Sequence, residues 1–190
     1  MGTGRRRESS PAAETLPNRT IQEPPRPHPP TQADYRLTRA VDLIDSDAAK
    51  AYRAKYSEPA AAAPPQVSIC DTISSDTLWH GARLGAAMEA YAKLVANGEA
   101  DPCTTQQEDN ATLTALKRGA EAGLIDFNRI AVLRTASNFD REASGQSAAE
   151  SLRARSGGYF LSVANAHRLG ATLAHAIVAD WGTWSAGPPK

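Results

Sequence analysis

Three polar clusters carry the residue types that could do chemistry, and each follows a short apolar or β-branched run. "DTISSDTLWHG" follows the run that starts at Val67, "TTQQEDN" follows Cys103, and "RTASNFD" follows Leu133. In an open α/β sheet, ligands bind outside the carboxyl ends of the strands. If the three runs are neighbouring strands, Ser75, Asp76 and Trp79, then Glu108, then Arg134, Asn138 and Asp140 converge on one rim. Carboxylates and amides in that position accept from and donate to hydroxyl and amide groups of a small polar ligand. Each residue also has a plainer role open to it. Asp76 and Asp109 are suited to helix caps, and Glu108 to the first turn of a helix, where the dipole favours a carboxylate. Asn138 suits a turn, Arg134 a structural ion pair, and His80 a hydrogen-bonded structural site.

Other chemistries find no support. There is no G-x-S-x-G elbow, phosphate-binding loop, G-x-G-x-x-G or H-E-x-x-H. "SGQSAAES" holds serines without a positioned base. His167 and His175 stand two helical turns apart, too far for a metal pair, so no metal or cofactor is expected.

The elements that must position these clusters are read from periodicity. "VSIC", "CTTQ" and "RIAVLRT" read as strands, the last most clearly. Leu37, Ala40, Val41 and Ile44 recur at helical spacing. Asp45-Ser46-Asp47 offers caps for a second helix through Tyr52 and Tyr56, which "EPAAAAPPQ" breaks. Leu84, Met88, Tyr91 and Val95 trace a helix ending at Asn97-Gly98. Leu113, Leu116 and Ala120 trace another, closed by Gly123. Gly157-Gly158 precede a last helix carrying Leu169, Leu173, Ile177 and Trp181. Alternating strands and helices imply an α/β fold with a parallel or mixed sheet. Residues 1–35 hold seven of the thirteen prolines and read as a disordered tail. The folded portion is expected over 36–184, with a short tail at 185–190.

Composition narrows the partners. The 190 residues suit one domain, and 21 basic against 21 acidic residues leave no charge for nucleic acid or an anionic membrane. No run approaches the roughly 20 apolar residues of a membrane span. No signal peptide is recognisable, and location stays open between cytoplasm and secretion. Cys70 and Cys103 lack metal-ligand spacing. Buried free thiols are the expectation, with a single disulfide as the alternative. Asn18-Arg19-Thr20 and Asn110-Ala111-Thr112 fit the glycosylation sequon.

The segments "CDTISSDTLWHG", "CTTQQEDNATLTALKRGAEAGLIDFNRIAVLRTASNFD" and "GQSAAESL" resemble the purine nucleoside permease family. "AYRAKY" and "AHRLGATLAHAIVADW" support the match. That family is similar in fold to nucleoside phosphorylases, an α/β/α sandwich around a mixed sheet. The resemblance implies purine nucleosides as ligands, in a chain that could form a homo-oligomer. It places Glu108 on the ribose hydroxyls, Asn138 on the purine, Asp140 as holder of a proton, and Ser75, Asp76 and Trp79 beside the base. The resemblance begins mid-domain, so the chain is expected to be the C-terminal portion of such a domain, without its Gly-rich phosphate loop. A nucleoside-binding role in uptake is the first expectation. Cleavage of the N-glycosidic bond, with Asn138 and Asp140 as catalytic residues, is the second, and a truncated chain of little activity the third.

Overall fold

A computed structural model describes residues 32–189. The proline-rich segment and the sequon at Asn18 lie outside the described residues, apart from Gln32 to Tyr35 at the segment's end. In chain order the elements are α1 (Gln32–Thr38), α2 (Asp47–Arg53), α3 (Pro59–Ala62), β1 (Asp71–Ser74), α4 (Ala82–Val95), β2 (Pro102–Gln106), α5 (Asp109–Glu121), a 3-10 turn (Phe127–Arg129), α6 (Ala148–Arg153), α7 (Tyr159–Ala179) and α8 (Trp181–Trp184). The protein is thus a mixed helix and sheet structure with a small sheet.

The sheet among the described residues has two strands, β1 and β2, paired in parallel across α4. Asp71 stands opposite Pro102, Thr72 opposite Thr104, Ile73 opposite Thr105 and Ser74 opposite Gln106. A parallel pair needs a crossover of a dozen or more residues, and the 14-residue α4 supplies it. The first expected strand shifts. "VSIC" precedes the ladder, and the polar "DTIS" forms it. Only Ile73 of that strand is buried, while Thr72 and Thr104 join their hydroxyls across the pair. The third expected strand is corrected: "RIAVLRT" joins no ladder among the described residues. Val132 and Leu133 are exposed there. An apolar β-branched run specifies extended backbone and wants burial, but it does not specify a hydrogen-bonding partner. No antiparallel member of the expected mixed sheet occurs among the described residues.

The free-thiol expectation is also corrected. Cys70 and Cys103 form a disulfide, with Cα atoms 5.8 Å apart. Cys70 immediately precedes β1 and Cys103 is the second residue of β2, so parallel pairing brings them together at the strands' amino ends. A separation of 33 residues hid that neighbourhood from the sequence.

Helix ends follow local chemistry. Ser46 caps α2, its hydroxyl accepting from the Ala49 N–H at 3.2 Å. Asn97 and Gly98 take positive φ after α4, as does Gly123 after α5. The expected first helix stops at Thr38 instead of running to Ile44. Asn165, buried on α7, holds that non-helical stretch: its Oδ1 accepts from the Ile44 N–H at 2.9 Å and its Nδ2 donates to the Ile44 carbonyl at 3.0 Å. Trp181 starts a separate helix after Asp180.

The core is aromatic and small. Tyr52, Tyr56 and Ala143 are buried, with Ala61, Phe139 and Ala154 packed on them. The Phe139 ring stacks on Tyr56 at 3.8 Å between centroids and 21° between planes, and lies 6.2 Å from Tyr52. Phe139 itself belongs to the third polar cluster and ties it to this core.

Candidate functional site

At the carboxyl ends of β1 and β2 the first two clusters meet. The Ser75 N–H donates to the Gln106 carbonyl at 3.1 Å, extending the ladder by one step. Gln106 Oε1 then accepts from the backbone N–H groups of Glu108 at 2.5 Å and Asp109 at 2.9 Å, satisfying donors at the start of α5. Its Nε2 is buried without a hydrogen-bond partner among the described residues. Glu108 is the N-cap residue of α5 but makes no capping bond with its side chain. Its carboxylate is exposed at the rim.

Asn110, in the first turn of α5, joins β1 to that helix. Its N–H donates to Ser74 Oγ at 2.9 Å, and Ser74 Oγ faces Asn110 Oδ1 at 2.9 Å. Its Nδ2 donates to Asp76 Oδ1 at 2.5 Å. The nitrogen a glycan would need at this sequon is therefore committed. Ser75 turns its hydroxyl back onto the Thr77 carbonyl at 2.7 Å.

The third cluster is tied to the other two at both its ends. Arg134 forms an ion pair with Asp109, its Nε donating to Oδ2 at 2.6 Å and its Nη2 meeting Oδ1. This is the structural pairing open to Arg134 in the sequence. At the far end, the Asp140 carbonyl accepts from the Gly81 N–H at 2.8 Å. Glu142 Oε2 accepts from the Ala82 N–H at 2.9 Å, capping α4 where Gly81 has no side chain to do so. Backbone N–H donors, its own and that of Ala82, hold the Glu142 carboxyl below its usual range.

Between these ends, residues 138–140 alternate. Phe139 points into the aromatic core, while Asn138 and Asp140 flank it. Asn138 is exposed and its Oδ1 accepts from Ser137 Oγ at 2.9 Å. Asp140 is half-buried, and both its carboxylate oxygens accept from Arg141, at 2.8 and 3.1 Å. The same guanidinium reaches Glu89 of α4 at 2.5 Å. These carboxylates, Asp140 first and Glu89 second, raise Arg141 further above its already high range. The Arg141 carbonyl accepts from Tyr56 Oη at 2.9 Å and Ser151 Oγ at 3.2 Å. Burial pushes the Tyr56 phenol up to about 12, so it remains a donor. Arg141 thus fixes Asp140 against α4, α6 and Tyr56 in the segment after α2.

Two glycines permit this packing. A Cβ on Gly85 would stand 3.0 Å from Arg141 Nη2 and 3.5 Å from Trp79 Cζ3. Trp79 and Arg141 therefore converge on the same spot of α4. A Cβ on Gly158 would collide with the Ser137 carbonyl. That carbonyl accepts from Ser156 Oγ at 2.6 Å, which in turn accepts from the Gly158 N–H at 3.1 Å. The start of α7 is so fastened just upstream of Asn138. His80 Nε2 is buried without a partner among the described residues.

The structure thus links Ser75, Asp76, Glu108 and Arg134 through one connected network, and sets Asp140 beside Trp79 to Gly81. Ser74, Gln106, Asn110 and Arg141 were not singled out as site residues from the sequence. Gln106 and Asn110 lie within the quoted second cluster and Ser74 within the first. Their places at a strand end and a helix start were the available signal.

No group of three or more His, Cys, Asp or Glu residues suited to a metal occurs among the described residues. No helix among them is long and apolar enough to cross a membrane.

Fold and site define an α/β protein with a polar rim at the carboxyl ends of a parallel strand pair. The chain belongs to the purine nucleoside permease family, whose model matches residues 31–189. It is 38% identical over 155 residues to a probable purine nucleoside permease of Schizosaccharomyces pombe, covering 80% of this chain and 44% of that one. It is 40% identical over 131 residues to a purine nucleoside permease of Candida albicans, covering 68% of this chain and 32% of the relative. The chain therefore spans less than half the length of these relatives. No solved structure matches it.

Proposed function

We propose that this protein binds purine nucleosides at the rim and serves in their uptake, the role the names of its relatives carry. The fold that fits this reading is the C-terminal portion of a nucleoside phosphorylase-like α/β/α sandwich. The observation that carries the reading is the corner where β1, β2 and α5 meet, which presents the Glu108 carboxylate to solvent while its backbone is clamped by Gln106.

A carboxylate with no partner among the described residues accepts from two adjacent hydroxyls, the pattern of a ribose 2′,3′-diol. Asn138 offers an amide that donates to a purine O6 or N7 and accepts from N1–H. Trp79 supplies an aromatic face near the base, with Ser75 beside it, while Asp76 is committed to Asn110 and orders the strand end behind them. Asp140 orders this end through Arg141 and so acts on the base side indirectly. Arg134 holds Asp109, and with it the start of α5, in register with the third cluster.

Calorimetric titration with inosine and with adenosine tests the proposal. A saturable heat with either nucleoside is the expected result. No heat with either at millimolar concentration would refute it.

A further inference from the structure

We propose that Asn110 is a positioning residue for the nucleoside site, an inference that rests on the binding role above. Its side chain couples the end of β1 to the first turn of α5. One planar amide there presents an acceptor beside Ser74 Oγ and a donor to Asp76 Oδ1, and the backbone N–H of the same residue donates to Ser74 Oγ. An amide is the group that meets both demands, since a carboxylate lacks the donor and an ammonium lacks the acceptor.

The consequence falls on Glu108. Gln106 Oε1 fixes the backbone of Glu108 and Asp109 to the end of β2. Asn110 fixes the same turn of α5 to the end of β1. Glu108 is therefore located from both strands, and Asp76 from the helix. Without this anchor the turn keeps its ties to β2 and to Arg134 but loses its tie to β1, and Glu108 is less firmly placed. The Glu108 carboxylate would then have to be ordered by the ligand itself, at a cost in affinity.

The polarity of the Asn110–Asp76 contact provides the test. Asn110→Asp keeps the shape and an acceptor beside Ser74 but sets two carboxylates against each other. The paired variant Asp76→Asn with Asn110→Asp exchanges donor and acceptor and restores the contact. Native protein and both variants are titrated with inosine, with a thermal melt of each. Asn110→Asp is expected to bind roughly tenfold more weakly, and the paired variant to recover most of that loss. The melting temperature need not follow this pattern, so affinity restored by exchange separates positioning from general stability. Native-like affinity of Asn110→Asp, or a paired variant that binds no better than Asn110→Asp, overturns the proposal. If Asn110→Asp does not fold, the paired variant decides alone: affinity within about threefold of native supports it, and a loss of about tenfold overturns it. Folded native protein that binds no nucleoside would instead refute the binding role, and this inference with it.

Discussion

The two sides of the rim are built by different physics. The β1–β2–α5 side is held by a parallel ladder, a disulfide at its base and a chain of side-chain amides at its top. The 134–142 side has no ladder among the described residues. It rests on Phe139 stacked over Tyr56 and Tyr52, and on the Arg141 guanidinium and carbonyl. One side is directional and polar, the other is a loop pinned through an aromatic plug. Backbone pairing fixes the register of β1 against β2 whatever a given side chain does. The position of the loop depends on one ring and one guanidinium.

The disulfide gives the largest expected effect on the ladder side. Closing a loop of this length stabilises by about 3–4 kcal/mol in the chain-entropy view. Cys70→Ser should therefore lower stability by that order, read from urea unfolding with the disulfide intact or absent. A loss no larger than that of a surface substitution would show that the ladder needs no staple.

On the loop side, Phe139→Ala should cost about 2–3 kcal/mol, below the range for a fully buried ring because Phe139 is only half-buried. It should also release the 138–141 segment, seen as loss of amide protection there while β1 and β2 stay protected. Equal loss on both sides would erase the distinction between them.

A smaller effect concerns the approach to the aromatic plug. Arg53 holds the Asp45 carboxyl at about 2, below its ordinary 3.8, through bonds of 2.9 and 2.7 Å. A folded-state value below the unfolded one means stability present above pH 4 and lost as pH falls toward 2. In Asp45→Asn this share of the acid sensitivity should vanish. An unchanged acid-unfolding curve in that variant would mean the pair adds nothing.

The same contrast explains what the sequence disclosed. Elements governed by local chemistry were legible: the Ser46 cap, the Asn97-Gly98 and Gly123 stops, and the Gly157-Gly158 break. That Ser75 and Asp76 lie beyond one strand and Glu108 beyond the next was legible too, although the first of those strands was expected at "VSIC". Features that depend on a distant partner were not. The disulfide, the shift of β1 to "DTIS" and the failure of "RIAVLRT" to join a ladder all turn on which segment lies alongside. Helix α6 was missed although Ser147 and Glu150 form a capping box, both bonds of which are present. "AYRAKY" carried a family likeness before its use was visible. Its two tyrosines are the floor on which Phe139 stacks.

The central claim is that both sides of the rim contribute to one nucleoside site. Inosine titration of Glu108→Ala and Asn138→Ala tests it most directly, since one residue lies on each side and both side chains are exposed. Each variant should bind roughly tenfold more weakly than native protein with its melting temperature unchanged. Native affinity in either would contradict the claim.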